Sequence, residues 1–177
     1  MRLPGRTPCE TAPEDRARRI QAWGSPPVVR IVGGLGSFRL GAFDDDLSWG
    51  RGRAIHIGAG QFLGGGLRFM DFDLGNPSGG DYRVETALGY FGASLIEGRP
   101  YGGGGGYYGI DLGSAEIEAP GMNEDDFALM IAGGVVGYAN TPHFAVGVAA
   151  EVGFFFAEPG GVNLDGVTFT TGIYVSY

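Results

Sequence analysis

From residue 27 to the C-terminus the side chains alternate with a period of two, and the two faces that result are unequal. In the stretch 143–156, Phe144, Val146, Val148, Ala150, Val152, Phe154 and Phe156 share one face, while His143, Ala145, Gly147, Ala149, Glu151, Gly153 and Phe155 share the other. The C-terminal stretch repeats the design, with Val167, Phe169, Thr171, Ile173, Val175 and Tyr177 alternating against Thr168, Thr170, Gly172, Tyr174 and Ser176. Between Asp126 and Tyr138, Phe127, Leu129, Ile131 and Val135 oppose Ala128, Met130, Ala132 and Gly134. This period reads as strand, and it gives the 36 glycines among 177 residues a place: they gather on the small face and follow no collagen-like three-residue repeat.

Working outward from these three strands, the pattern predicts eight, near 27–41, 53–63, 66–75, 82–96, 101–117, 126–138, 143–156 and 167–177. The connections alternate in length. A long one around Asp44 to Gly52 is followed by a tight Gly64-Gly65-Gly66, then NPSGGD, a short EGRP, a longer EAPGMNEDD, a short ANTP and a longer EPGGVNLDG. An up-and-down antiparallel meander with two functionally different ends produces that rhythm, and an even strand number lets the sheet close with no unpaired edge. Residues 1–26 are polar and proline-rich and read as a mostly disordered N-terminal extension; residues 27–177 form the β-barrel domain.

The apolar face either lines a core or meets lipid. A soluble, lipocalin-like barrel binding a small apolar ligand would turn it inward, leaving a face of Gly, Ala and isolated charges to meet water. That face would make a poor aqueous surface, whereas the lumen of an eight-stranded barrel has room only for side chains and selects small residues. Lipid-facing barrels also gather aromatics at both interfaces. Tyr90, Tyr138, Phe144 and Tyr177 fall at the short-turn end, and Phe72, Tyr82, Phe127, Phe154 and Phe156 at the long-loop end. The longest apolar runs are too short for a helix spanning a bilayer. Twelve basic against 20 acidic residues, a net charge of −8, argue against nucleic acid as a partner. The single cysteine, Cys9, excludes an internal disulfide framework.

In this architecture the chain resembles the small eight-stranded outer-membrane β-barrels of Gram-negative bacteria, outer membrane protein X and the OmpA transmembrane domain among them. The likeness extends to the C-terminal strand. Thr170-Thr171-Gly172-Ile173-Tyr174-Val175-Ser176-Tyr177 is similar to the family's insertion signal, carried here by Gly172, Val175 and Tyr177, with Tyr where the family usually ends in Phe. The resemblance implies an all-β, eight-stranded antiparallel transmembrane barrel in the bacterial outer membrane. Its implied partners are the lipid bilayer, lipopolysaccharide and the outer-membrane insertion machinery; a monomer with no cofactor is expected. The N-terminus lacks the apolar core of a secretory signal. Export would therefore draw on a signal encoded ahead of Met1 or already removed.

Pairing each expected hairpin about its connection places His56, Asp71, Asp73, Arg83, Glu85, Asp111 and Glu151 in one polar layer of the lumen. Its main reading is structural, a packed ionic filling, with a cation or proton site as the alternative. A lipid-modifying hydrolase would need a serine or water beside a histidine and a carboxylate. His56 with Asp73 supplies two of the three, but Ser37 faces the other way, Ser48 lies in a loop and His143 sits at the opposite rim. No catalytic residue is assigned. The long loops are acidic, with Asp44, Asp45 and Asp46 the candidates for divalent-cation contact to lipopolysaccharide; no resident metal is expected. The expected role is structural or one of surface interaction.

Overall fold

The computed structural model describes residues 29–40, 48–60, 62–75, 81–99, 101–141 and 143–177. The N-terminal extension and Asp44, Asp45 and Asp46 lie outside them. The strands are β1 (Val29–Leu40), β2 (Ser48–Gly60), β3 (Leu63–Gly75), β4 (Asp81–Arg99), β5 (Gly102–Ala119), β6 (Met122–Asn140), β7 (Ala145–Ala157) and β8 (Gly166–Ser176). Each pairs antiparallel with the next, and β8 returns to β1, closing an eight-stranded barrel. No helix among the described residues is long and apolar enough to cross a membrane.

Register fixes the barrel's shape. Starting at Val29, the paired residues run Ala59, Gly65, Phe91, Ile110, Ile131, Phe154 and Val167, and Val167 pairs with Arg39. One circuit thus climbs ten residues along β1, from 29 to 39. With a rise of about 3.3 Å per residue and strands about 4.8 Å apart, eight strands with this stagger tilt about 40° from the barrel axis. A strand as long as β2 then spans roughly 30 Å along the axis, enough for an apolar band about 25 Å tall.

That band is present and faces outward. Ile55 and Ile57 on β2, Leu67 and Phe69 on β3, Phe91 on β4, Tyr108, Ile110 and Leu112 on β5, Ile131 and Val135 on β6, Val148, Val152 and Phe154 on β7, and Phe169 and Ile173 on β8 are all exposed. With Ile31 and Leu35 on β1 the belt touches every strand. A continuous apolar girdle of this size is far beyond what a water-soluble monomer exposes. The barrel is a transmembrane one, and the soluble arrangement with the large face turned inward is not the one observed.

Four connections sit away from their expected places. β2 begins at Ser48, within the long loop expected around Asp44 to Gly52, and EAPGMNEDD, expected as a longer loop, is a tight turn at Pro120 and Gly121 between β5 and β6. The triplet Gly64, Gly65 and Gly66 is part of β3, paired with Gly60, Ala59 and Gly58. A Cβ at Gly64 or Gly66 would strike the β2 backbone, so glycine is needed there for close approach; the turn itself uses Gly60, at φ 124°. Likewise β4 continues to Arg99, so EGRP is mostly strand. The displaced glycine triplet pairs His56 with Arg68 instead of Asp73, and the longer β4 pairs Glu85 with Glu116 instead of Asp111; Asp73, expected near Val84 and beside Arg83, falls opposite Arg83.

Candidate functional site

The lumen is filled in layers. Nearest the long-loop end, Phe72, Leu74, Val84, Leu88, Ile117, Met130 and Phe155 pack together, joined by Leu164 from the β7–β8 loop. That loop turns through a short 3-10 segment at Pro159–Gly161, and Leu164 N–H bonds Ala157 O at 2.9 Å, which directs the Leu164 side chain into the barrel mouth. Toward the short-turn end, Val136, Ala149 and Tyr174 form a smaller cluster with Val32, Ile96 and Tyr138. Tyr138 and Tyr174 stack with ring centroids 5.6 Å apart.

Between the two lies an ionic layer. Arg68 on β3 crosses the lumen to Glu151 on β7, the diametrically opposite strand, in a two-pronged pair: Nη2 donates to Oε2 at 3.0 Å and Nη1 donates to Oε1. Its Nε lies 3.2 Å from Oδ2 of Asp111 on β5. The three side chains are 2 %, 5 % and 0 % exposed. His56 packs edge-on against Tyr90 at 4.5 Å between centroids and lies 6.3 Å from Tyr107. The rings are seated by glycines: a Cβ at Gly92 or Gly109 would collide with Tyr90, and one at Gly134 with Tyr107. At these three positions glycine is a slot for a ring lying against the strand.

Only part of the expected lumen layer is found inside. His56, Asp111 and Glu151 point inward and are buried. Asp71, Asp73, Arg83 and Glu85 point outward, and this corrects the sequence-based placement. Asp71, Arg83 and Glu85 form a surface chain with Arg53 toward the long-loop rim: Arg53 Nη2 to Asp71 Oδ2 at 3.0 Å, Arg83 Nε to Asp71 Oδ1 at 3.0 Å, and Arg83 Nη2 to Glu85 Oε1 at 2.8 Å. Asp73 and His56 stand on opposite sides of the wall, so that pair cannot act together. The residue the sequence reading missed is Arg68. Its signal was a lone charge flanked by Leu67 and Phe69 in mid-strand, a position that lipid forbids on one face and the lumen accepts on the other.

The expected aromatic belts divide in the same way. Phe127, Phe144, Phe154, Phe156 and Tyr177 are exposed, joined by Phe62 and Tyr101 at the short-turn end. Phe72 and Tyr90 are buried inside, and Tyr82 and Tyr138 pack against the inner clusters. Of the C-terminal residues, Gly172 faces inward against β1, Val175 pairs with Ile31 and Val146, and Tyr177 exchanges backbone hydrogen bonds with Val29 at 3.0 and 3.2 Å. Among the described residues no three His, Cys, Asp or Glu side chains converge as a metal site would require. Arg68 itself stands where a cation between Asp111 and Glu151 would sit.

No protein-family model and no curated protein sequence matches the chain. Among solved structures it is similar to neisserial surface protein A, NspA, with a TM-score of 0.60 and 11 % identity over 85 % of this chain and 96 % of that one. The fold is that of a small outer-membrane β-barrel. Two further structures of the kind align less closely. Ail, the attachment invasion locus protein of Yersinia pestis, has a TM-score of 0.44 and 16 % identity over 86 % of this chain and 100 % of that one. OprG from Pseudomonas aeruginosa has a TM-score of 0.48 and 11 % identity over 86 % and 96 %. Inside this barrel the buried Arg68–Glu151–Asp111 tie lies beneath an apolar cap.

Proposed function

We propose that this protein is an integral outer-membrane barrel with a sealed lumen, serving as a rigid scaffold that presents acidic loops at its long-loop end, with a structural or surface-interaction role and no catalytic step. One observation carries the reading: an apolar girdle on the outside is combined with a lumen stacked full from the tyrosine cluster through the ionic layer to the apolar cap. A barrel built to conduct keeps a polar, water-filled interior. Here the side chains that would line a channel are packed against one another. The bilayer, lipopolysaccharide and the outer-membrane insertion machinery are its proposed partners, the last through Gly172, Val175 and Tyr177, and the protein acts as a monomer. Acidic loops suit lipopolysaccharide phosphates bridged by divalent cations.

Refolding into detergent and then lipid vesicles tests this. The folded barrel is expected to migrate differently on SDS gels before and after boiling and to give planar bilayers no stable ion conductance. A protein that stays monomeric and soluble without detergent, or one that opens long-lived channels, contradicts the reading.

A further inference from the structure

Five outward charges lie on one row of the sheet. Arg53 on β2 is paired with Asp71 on β3, Asp71 with Glu85 on β4, Glu85 with Glu116 on β5, and Glu116 with Asp125 on β6. A row of paired residues runs across the strands, so in a barrel whose strands tilt about 40° it cannot stay level. With strands about 4.8 Å apart it climbs about 3 Å toward the long-loop end at each strand, which sets Asp125 about 12 Å above Arg53. Since β2 and β6 face each other across the lumen, the polar boundary of the wall is low on one side and high on the other.

The apolar wall is unequal in the same sense. On β3 the outward residues free of polar groups run from Leu63 to Phe69, seven residues of strand, and on the opposite strand β7 from Val146 to Phe156, eleven. On β2 they run from Ile55 to Ala59, five residues, against thirteen on β6, from Phe127 to Ala139. At an axial rise of about 2.5 Å per residue these walls are about 15 Å tall on β3 and about 10 Å on β2, but about 25 Å on β7 and about 30 Å on β6. A bilayer calls for a band of about 25 Å, so one side of the barrel matches it and the other falls short by about 10 Å or more.

The shortfall lies at the long-loop end. Followed along rows and strands, Val29 on β1, Leu63 on β3, Leu95 on β4 and Val146 on β7, exposed apolar residues near the short-turn rim, fall within about 3 Å of one level. Tilting the whole barrel would carry the mismatch from one rim to the other and leave the β2–β3 wall as short as before. Arg53 does not reach far toward the long-loop end either, because its Nη2 is held by Asp71 Oδ2 at 3.0 Å, one strand along the same row. Hydrocarbon rejects charged side chains, and a bilayer meets a short apolar wall by thinning against it.

We propose that this barrel thins the bilayer on one side. The leaflet at the long-loop end dips along β2 and β3, bringing head groups and water down to Arg53 and Asp71, and keeps its full thickness along β6 and β7. The partner of the β2–β3 face is thus a compressed patch of lipid, and the protein deforms the membrane locally as well as spanning it. This rests on the outer-membrane reading above and adds an action on the membrane to the scaffold role.

The test uses the full chain with Cys9→Ser, inserted in dioleoyl phosphatidylcholine vesicles, with heat-shifted gel mobility confirming that each sample is folded. Single nitroxide labels go at positions 51 on β2 and 156 on β7, which stand at nearly the same height, and at 63 on β3 and 146 on β7, which share a level at the short-turn rim. The ratio of collision with a water-soluble nickel complex to collision with oxygen is expected to be at least tenfold higher at 51 than at 156, and alike at 63 and 146. Arg53→Leu combined with Asp71→Leu lengthens the short wall and should lower the ratio at 51 at least threefold. Equal ratios at 51 and 156 would mean a level boundary and would overturn the proposal. So would a contrast mirrored at the other rim, with 63 in lipid and 146 in water, which is rigid tilt, or a ratio at 51 that a folded double variant leaves unmoved. Failure of the outer-membrane reading shows separately, as loss of vesicle insertion and of heat-shifted mobility.

Discussion

The middle of the barrel and its long-loop rim follow opposite rules. In the middle, large apolar side chains such as Leu67 and Phe69 point out and Arg68 points in. Two residues further along the same strand the assignment inverts: Asp71 and Asp73 point out, while Phe72 and Leu74 fill the lumen. β4 does the same, with Phe91 outside and Tyr90 inside in the middle, then Arg83 and Glu85 outside and Val84 inside at the rim. Strand geometry is unchanged between the two regions. What changes is the solvent beyond the wall, hydrocarbon in one and water with lipid head groups in the other, and the sequence responds by exchanging which face carries the polar residues.

The largest effects should come from the inner face, and they should contrast with the outer face of the same strand. Phe72→Ala removes a side chain 1 % exposed and should cost about 3–5 kcal/mol in reversible unfolding from vesicles, while Phe69→Ala, on the lipid side, leaves no internal cavity and should cost only the transfer of its ring between hydrocarbon and water, about 1.5–3 kcal/mol. Arg68→Ala strands Glu151 and Asp111 without their cation and should cost about 3–5 kcal/mol. Arg53→Ala at the rim should cost under about 1 kcal/mol in the same assay, because its partner Asp71 is solvated and keeps Arg83. If the two arginine variants lose the same stability, the division between buried tie and surface chain is wrong.

A charge placed on the outer face sharpens the boundary. Ile131→Arg, in the apolar band, should destabilise the inserted barrel by about 2–4 kcal/mol, and Glu116→Arg, above the band, by about 0–1 kcal/mol. Glycines give a similar contrast at smaller scale. Gly109→Ala drives a methyl into the Tyr90 ring and should cost about 1–3 kcal/mol, whereas Gly33→Ala, which meets nothing within 4 Å, should be neutral or slightly stabilising.

These contrasts also mark what could be seen in the sequence. The eight strands and their order were legible, because alternation in stretches such as 143–156 and 167–177 needs only one face to be uniform. The outward direction of the mid-strand apolar residues was legible for the same reason. The composition of the lumen was not. Charges on β3 and β4 were assigned to the interior on the premise that polar means inside, which holds only within the apolar band, and Asp71, Asp73, Arg83 and Glu85 lie above it. Where the band ends depends on register, and register depended on taking Gly64 to Gly66 for a turn when close packing against β2 makes it strand. Arg68 was overlooked because nothing but its flanking residues distinguishes it from the other arginines.

The inversion along β3 is tested most directly by nitroxide labels placed singly at positions 67 to 74 in vesicles, after Cys9→Ser removes the native thiol. The labels are read for collision with oxygen, which concentrates in lipid, and with a water-soluble nickel complex. Labels at 67 and 69 should meet oxygen, those at 71 and 73 the nickel complex, and those at 72 and 74 neither. Oxygen access at 72 and 74, with 71 and 73 shielded from both reagents, would contradict the account, because the charged residues would then line the lumen and the apolar cap would face lipid.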